Sequence, residues 1–289
     1  NNIAWFVPGG ATLTINLNDC ILDNTTDTNG KMRSIGSGGG GGGNVECNVN
    51  NCVFQEDEHG GLTHQQAWIS TASATTHVQA NFCDFQAGAD RFLGHEGNPN
   101  VTTTCNGCIF HPGGEAILPD PGGDKNIIVE NSVILDAGNR IRSGIFCCEN
   151  EARGYIFRHV TFQDNDNQLV FTAPNFAAAT EFSNCLFNMP NSEVLINVFA
   201  APGNAPTGGN NMSNGGGGAS TTAGGDSMGE ATPGLTIVSD LKLDADGYHL
   251  TECSPALGAA AAAVGANILF IVSNAEALER ADGPIRDHL

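Results

Sequence analysis

The chain alternates apolar and polar residues in short runs, and the alternation changes phase at pairs of polar residues. Over residues 13–17 every second residue is apolar, Asn18 and Asp19 then interrupt the pattern, and it resumes at Cys20 and Leu22. Alternation with a period of two predicts a β-strand with one buried face. The polar pair therefore predicts a tight bend between two strands that both turn their apolar side chains inward.

This pattern of strand, bend and strand recurs between residues 10 and 200. It is seen most clearly in residues 182–187, which read Phe-Ser-Asn-Cys-Leu-Phe. The position that holds the cysteine of this unit recurs at residues 20, 52, 83, 108, 132, 160 and 185. Self-similarity at a period of about 25 residues predicts a solenoid of stacked turns. A single turn buries too few side chains to offset the ordering of its backbone, so stacking has to supply the stability.

Asparagine is frequent at the predicted bends, where its tolerance of unusual backbone angles and its local hydrogen bonding are useful. If these residues lie above one another in successive turns, their amides can hydrogen-bond along the stack. The residues expected to do so are Asn18, Asn50, Asn81, Asn106, Asn131 and Asn184. The cysteines would form one inner column and the phenylalanines another.

The chain has ten cysteines, a number that suggests disulfides. Five of them share one inward position of the repeat: Cys20, Cys52, Cys83, Cys108 and Cys185. That position favours a column of buried thiols that pack as small apolar residues. Cys105 and Cys108 have no second pair at metal-ligand spacing, which disfavours zinc. Cys147 and Cys148 cannot both face inward, so one of them is a candidate for a disulfide or an exposed thiol, and Cys253 lies outside the repeat.

Strands joined by Asn-containing bends, with inner columns of Cys and Phe, resemble the right-handed parallel β-helix of the pectate-lyase-like group. The resemblance implies an all-β fold, a right-handed parallel β-helix solenoid of about 8–10 turns. Ser273 and Glu276 form a capping box, which predicts a short C-terminal helix over residues 274–281. Enzymes, adhesins and fibres all use this coil, so the resemblance leaves the function open.

Three segments are expected along the chain. Residues 1–200 form the parallel β-helix coils, residues 201–234 are a Gly/Asn/Ser-rich loop, and residues 235–289 form a closing coil with a C-terminal capping or docking segment. Within the last segment, residues 248–250 (Tyr-His-Leu) and 254–256 (Ser-Pro-Ala) resemble the closing segment of the choice-of-anchor β-helix proteins. That resemblance implies a secreted or extracellular bacterial protein at the cell surface.

The negative charge of the chain restricts the classes of molecule that it can be expected to bind. The formal net charge is −20, which argues against nucleic acid and against an anionic membrane surface. No run of apolar residues is long enough to predict a membrane-spanning segment. The chain begins with Asn1 and not with Met, which indicates that a leader was removed or that the sequence is part of a longer protein.

An enzyme of this fold would be a polysaccharide lyase or a glycoside hydrolase. A lyase needs a base and a cation that stabilises the developing charge, and the candidates are Arg91, His95, Arg140 and Arg142, expected on one outward face. A hydrolase needs two carboxylates, and the acids of the chain match no motif of a known enzyme of this fold. Outward arginines on a solenoid are more often solvated or paired with acids, so no catalytic residue is assigned.

Loops that carry several acids are candidates for calcium, whose ligands in proteins are oxygen atoms. Asp164 and Asp166 follow a Phe position where a loop leaves the coil, and Asp244 and Asp246 precede the closing segment, with Asp240 nearby. Solvated turns explain the same residues. Calcium is therefore a candidate ion, and no cofactor is firmly implied.

The ends of the coil suggest the function. A β-helix ends in strands with unpaired edges, which are templates for another chain, and an end-to-end contact that does not close produces a filament. An acidic surface with few lysines, rich in Gly, Asn and Thr, is typical of an extracellular fibre, adhesin or sheath subunit. We therefore expect a structural or adhesive protein that self-associates end to end. The alternative is a protein that binds or cleaves polysaccharide.

Overall fold

Each element whose bounds the structure describes is a β-strand. In this computed structural model the described residues are 3–5, 8–23, 33–37, 43–55, 67–70, 75–85, 91–95, 100–110, 115–119, 125–135, 155–163, 169–171, 180–188, 196–198, 207–214, 235–245 and 250–256. The helix predicted over residues 274–281 lies outside them.

The strands are short and follow one another closely along the chain. In chain order they are β1 (Ile3–Trp5), β2 (Thr12–Asn18), β3 (Ile21–Asp23), β4 (Arg33–Ser37), β5 (Asn44–Asn50), β6 (Val53–Gln55), β7 (Ala67–Ser70), β8 (Thr75–Asn81), β9 (Asp84–Phe85), β10 (Arg91–His95), β11 (Asn100–Asn106), β12 (Ile109–Phe110), β13 (Glu115–Pro119), β14 (Lys125–Glu130), β15 (Val133–Leu135), β16 (Tyr155–Arg158), β17 (Thr161–Gln163), β18 (Leu169–Phe171), β19 (Thr180–Ser183), β20 (Leu186–Asn188), β21 (Ile196–Val198), β22 (Thr207–Gly209), β23 (Asn211–Ser213) and β24 (Leu235–Ile237).

Parallel pairing assembles these strands into three long sheets and one pair. The five-stranded sheet has the order β1-β4-β7-β10-β13, the eight-stranded sheet β2-β5-β8-β11-β14-β16-β19-β22, and the nine-stranded sheet runs from β3 to β24 in the order β3-β6-β9-β12-β15-β17-β20-β23-β24. Strands β18 and β21 form the remaining pair. Each strand pairs with its counterpart in the next turn, so the chain winds as a coil. The predicted all-β fold, with parallel strands stacked as in a β-helix, is confirmed.

A left-handed residue makes the bend between the eight-stranded and nine-stranded sheets in each turn. Its φ angle lies between 49° and 66°. The residues at this position are Asp19, Asn51, Phe82, Gly107, Asn131, His159, Asn184 and Asn210. Asn, Asp and Gly enter this region at low cost, so the turns built on Phe82 and His159 hold a strained residue by packing around it.

The core is made of side-chain columns that run along the stack. Phe54, Phe85 and Phe110 are 0% exposed, and their ring centroids stack 4.6 Å and 5.0 Å apart. Farther along the same column Phe162 and Phe187 stack at 5.0 Å. The cysteine column is also buried at its second, third, fourth and seventh positions, where Cys52, Cys83, Cys108 and Cys185 lie. Both predicted columns are confirmed.

The closing segment packs against the nine-stranded sheet. Met212 of β23 forms a small second core with Leu241 and Ala256, each at most 5% exposed. An antiparallel bridge joins Leu243 to Leu250. The hydroxyl of Ser254 donates a 2.5 Å hydrogen bond to the carbonyl of Leu241, which ties the Ser-Pro-Ala sequence to this core.

Candidate functional site

The outward side chains of β2, β5, β8 and β11 form one continuous surface, which we call the polar face. Its described side chains are Thr12, Thr14, Asn16, Asn18, Asn44, Glu46, Asn48, Asn50, Thr75, His77, Gln79, Asn81, Thr102, Thr104 and Asn106. They alternate with inward residues such as Ile15, Cys47, Val78 and Cys105, which are at most 8% exposed. Parallel in-register pairing places the outward residues in rows about 4.8 Å apart.

Side-chain amides of the polar face hydrogen-bond from one turn to the next. The Nδ2 of Asn50 donates to the Oδ1 of Asn18 at 2.9 Å, and the Nδ2 of Asn81 donates to the Oδ1 of Asn50 at 2.8 Å. A second ladder runs beside the first, where the Nδ2 of Asn48 donates to the Oδ1 of Asn16 at 3.0 Å. These bonds hold the amides in one orientation.

The predicted asparagine ladder is confirmed in part and spans two backbone positions. Asn18, Asn50 and Asn81 are the last residues of their strands, whereas Asn131 is the left-handed residue of its bend. Asn131 nevertheless makes a bond of the same kind, because its Nδ2 donates to the Oδ1 of Asn106 at 2.8 Å. Asn184 is also a left-handed residue, and its buried Oδ1 has no hydrogen-bond partner among the residues that the structure describes. Sequence spacing did not separate these two positions.

Beyond the polar face, the same sheet surface carries an ion cluster that spans three turns. The guanidinium of Arg158 donates from Nε and Nη2 to the two carboxylate oxygens of Glu181, at 2.9 Å and 3.0 Å, and lies 3.4 Å from Glu130. The hydroxyl of Ser183 donates to Glu181 at 2.8 Å. The bonds from Arg158 lower the pKa of Glu181. One guanidinium thus joins carboxylates from the turns on either side of it, so the cluster has the character of a cross-turn tie.

The cysteine column serves the backbone at the bends. The thiol of Cys52 donates to the carbonyl of Asn50 at 3.2 Å. In the turn where serine replaces cysteine, the hydroxyl of Ser132 donates to the carbonyl of Glu130 at 2.6 Å and accepts from the amide of Cys108 at 3.0 Å. The column residue thus binds one backbone group of its own turn and one of the preceding turn. The thiols therefore have a structural role, in which they donate hydrogen bonds to backbone carbonyls inside the coil.

Burial keeps the thiols of the core protonated, both in the cysteine column and at Cys47 of β5. It raises the pKa of Cys47 to about 12, with a smaller contribution from Cys52. It also raises the pKa of Cys185 to about 12. Cys253 is a free thiol on the surface. Cys147 and Cys148 lie outside the described residues, so the prediction about them stays a prediction.

The structure describes two of the four predicted catalytic candidates, Arg91 and His95. Arg91 and His95 are the first and last residues of β10, in the five-stranded sheet, where Arg91 pairs with Glu115 of the next turn. Only the backbone of these two residues is described. Arg140 and Arg142 lie outside the described residues, so the grouping of the four on one outward face stays a prediction.

The structure describes two of the five predicted calcium ligands, Asp240 and Asp244. The Oδ1 of Asp244 accepts a 2.8 Å hydrogen bond from the amide of Ala245. Asp240 accepts from the amide of Lys242 and pairs with its ammonium group, both at 2.7 Å. The other three candidates, Asp164, Asp166 and Asp246, lie outside the described residues. Within the described part of the chain, no three His, Cys, Asp or Glu side chains are grouped closely enough to hold a metal ion.

The first turn of the coil presents a less buried core than the turns behind it. The inward residues of this turn are partly exposed, apart from Ile15. They are Ala11, Leu13, Leu17, Cys20 and Leu22. Their register partners Val45, Val49 and Phe54 are 0–2% exposed. Ile21, on the outside of the same turn, is 45% exposed. We call this surface the first-turn edge.

Comparison with known proteins leaves the fold and the site as the basis for inference. No protein-family model, no curated protein and no solved structure matches the chain. Among the described residues, no helix has the length and apolarity that crossing a bilayer requires.

The polar face is not among the sites predicted from the sequence. A signal for it was present, because the polar residues that alternate with the core positions in residues 12–18 are all Thr or Asn. The alternation of these positions by itself indicates only strands. Their identity, compared between turns, is the feature that distinguishes this surface from an ordinary solvated sheet.

Proposed function

We propose that this chain is an extracellular structural or adhesive β-helix protein that associates end to end at the bacterial cell surface. In this proposal the coil is right-handed, as connections between parallel strands almost always are, and it belongs with the pectate-lyase-like group. The closing segment is assigned to the choice-of-anchor type. The protein is secreted, and its partners are further copies of itself.

The first-turn edge is the observation that supports this proposal best. Leu13, Leu17 and Leu22 are partly exposed, whereas the equivalent residues one turn later are fully buried. Removing apolar surface from water contributes about 25 cal/mol per Å². Another turn stacked on this edge would therefore be stabilised by the same burial that holds the turns of one molecule together.

The polar groups of the first turn support the same contact. In the amide ladders each turn donates from Nδ2 to the Oδ1 of the turn before it, as Asn48 does to Asn16 and Asn50 does to Asn18. The Nδ2 groups of Asn16 and Asn18 have no such acceptor within the described residues. In addition, β2 and β3 pair on one side only in the described sheets. The edge thus offers backbone and side-chain hydrogen bonds to another copy.

Electron microscopy of the 289-residue protein at low and high concentration tests the proposal. We expect filaments at high concentration, with an axial repeat equal to the length of the β-helix of one molecule. Ile21→Asp places a charge on the exposed border of the edge and should abolish them. Gln79→Asp adds the same charge at an exposed site away from the edge and should leave them intact.

Two results would contradict this function. Isolated rods at every concentration would exclude end-to-end assembly, and equal loss of filaments in both variants would mean that net charge, not the first-turn edge, controls assembly. The same grids with and without a chelator test calcium as the candidate ion. Calcium-dependent assembly would assign the ion a role in the contact.

A second proposal, polysaccharide cleavage, has one supporting observation. Strand β10 carries Arg91 and His95 in the five-stranded sheet, and Arg91 is the register partner of Glu115. A cation beside an acid on one sheet is an arrangement that a lyase could use. Assays of polysaccharide cleavage with the wild type and Arg91→Ala test it. Failure to cleave any acidic or neutral polysaccharide would reject it.

A further inference from the structure

We infer that the polar face binds a neutral polysaccharide and supplies the adhesive part of the proposed function, on which this inference rests. The site is the outward surface of β2, β5, β8 and β11, on the eight-stranded sheet. It is distinct from the five-stranded sheet, which carries the catalytic candidates Arg91 and His95. Its ligand is a glycan chain without carboxylate or sulfate groups.

Charge argues for a neutral ligand. The chain has a formal net charge of −20, yet the described side chains of the polar face are all Thr, Asn or Gln except Glu46 and His77. No lysine or arginine is among these described residues, so an anionic ligand would find no counter-charge there and would be repelled by the rest of the molecule. A cationic ligand would be attracted more strongly by the acidic surface elsewhere.

The amide ladders orient the hydrogen-bonding groups of the polar face in advance. A primary amide has two N–H donors and two acceptor lone pairs. Asn50 uses one N–H toward Asn18 and one lone pair toward Asn81, which leaves one of each for a ligand. Because the ladder already fixes the side chain, binding costs little rotamer entropy. A polysaccharide offers hydroxyl groups that both donate and accept, repeated along its length.

A protein partner fits this surface less well. The residues that dominate binding between proteins are Trp, Tyr and Arg, seated in dry pockets. The described side chains of the polar face include none of these and no large aliphatic residue. The surface is instead a regular array of small polar groups, in rows about 4.8 Å apart. Such an array matches a partner that is itself periodic.

Lysine substitutions on the polar face test the inference. Thr14 and Gln79 are exposed residues in adjacent columns of the face, separated by two turns. The double variant Thr14→Lys/Gln79→Lys places two long charged side chains across it, and the exposed pair Thr236→Lys/Ser239→Lys provides the matched control. Sedimentation with insoluble cellulose, chitin, curdlan and starch measures binding, and insoluble polygalacturonate is the anionic probe.

We expect the wild type and the control to bind at least one neutral polysaccharide, and added NaCl should not weaken this binding. The polar-face variant should bind the same polysaccharide about tenfold more weakly or worse, a difference of about 1.4 kcal/mol in binding free energy. Binding to no neutral polysaccharide, binding to polygalacturonate alone, or equal binding by both variants would overturn the inference. Electron microscopy of the same samples separates it from end-to-end assembly. Loss of filaments in the polar-face variant without loss of sedimentation would make this face a contact between copies.

Discussion

At the scale of the residue, strand β22 near the end of the coil depends on a single glycine. Gly208 has a φ angle of +119°, and a β-carbon at this position would collide with the backbone carbonyl of Phe182 in the preceding turn. Gly208→Ala should therefore lower the free energy of unfolding by about 2 kcal/mol or more. Gly209 has open space around it, so Gly209→Ala should change stability little. Urea unfolding of both variants checks this, and equal midpoints would contradict it.

The buried thiols predict how stability depends on pH. Burial raises the pKa of Cys47 and of Cys185 from 9.0 to about 12. Above pH 9 the unfolded chain loses thiol protons that the folded chain keeps, so the unfolded state is favoured as the pH rises. The contribution of these thiols is complete below pH 9 and is lost between pH 9 and 12. Each lowers the free energy of unfolding by up to about 1.4 kcal/mol per pH unit in that window.

Lysine and tyrosine side chains also titrate at alkaline pH. Replacing one thiol separates the loss of stability due to that thiol from the loss due to these other groups. Val160 occupies the cysteine position in its own turn and is 1% exposed there, so Cys185→Val fits the column. We expect the urea midpoint of this variant to fall less between pH 8 and 10.5 than that of the wild type, because one titrating group is gone. Parallel curves for the two proteins would show that Cys185 does not govern the alkaline loss of stability.

At the scale of the element, the column residue joins two turns through the backbone. Ser132→Ala would leave the amide of Cys108 and the carbonyl of Glu130 without the bonds that the hydroxyl now makes. The loss of these buried hydrogen bonds should cost about 1–3 kcal/mol. Ser132→Cys restores the residue found in neighbouring turns and should cost less. Urea unfolding measures both changes, and equal losses would mean that the hydroxyl contributes only packing.

The strands and bends of this fold could be predicted from the sequence because each turn repeats one local pattern. Alternation identified the strands on both sides of the bend before Cys20, and the polar pair Asn18 and Asp19 identified the bend itself. What the pattern could not separate was the last strand residue from the left-handed residue. Asn106 and Asn131 differ by this one position, yet their side chains bond, because the amide is long enough to bridge it.

At the scale of the whole molecule, the candidate sites were harder to predict than the fold. The inward residues are constrained by burial, so their pattern is visible in one sequence. Outward residues are not constrained in this way, and their role depends on which residues of distant turns become neighbours. The polar face joins residues as far apart as Thr14 and Thr104, a proximity that follows only from the register of the sheet.

Stacking also makes the stability of the molecule collective, because each turn is stabilised by its contacts with the neighbouring turns. Phe85 lies between Phe54 and Phe110 in the aromatic column and is fully buried, so Phe85→Ala should cost about 3–5 kcal/mol and accelerate amide exchange in the turns on both sides. Leu22 holds the same column position in the first turn, where it is partly exposed and where β3 pairs on one side only within the described sheets. Leu22→Ala should cost less and affect exchange only near β3 and β6, because an end turn can fray without dividing the stack. Urea unfolding and hydrogen exchange measure both variants. Equal losses in the free energy of unfolding, with faster amide exchange confined to the substituted turn in both variants, would mean that the turns are stabilised independently.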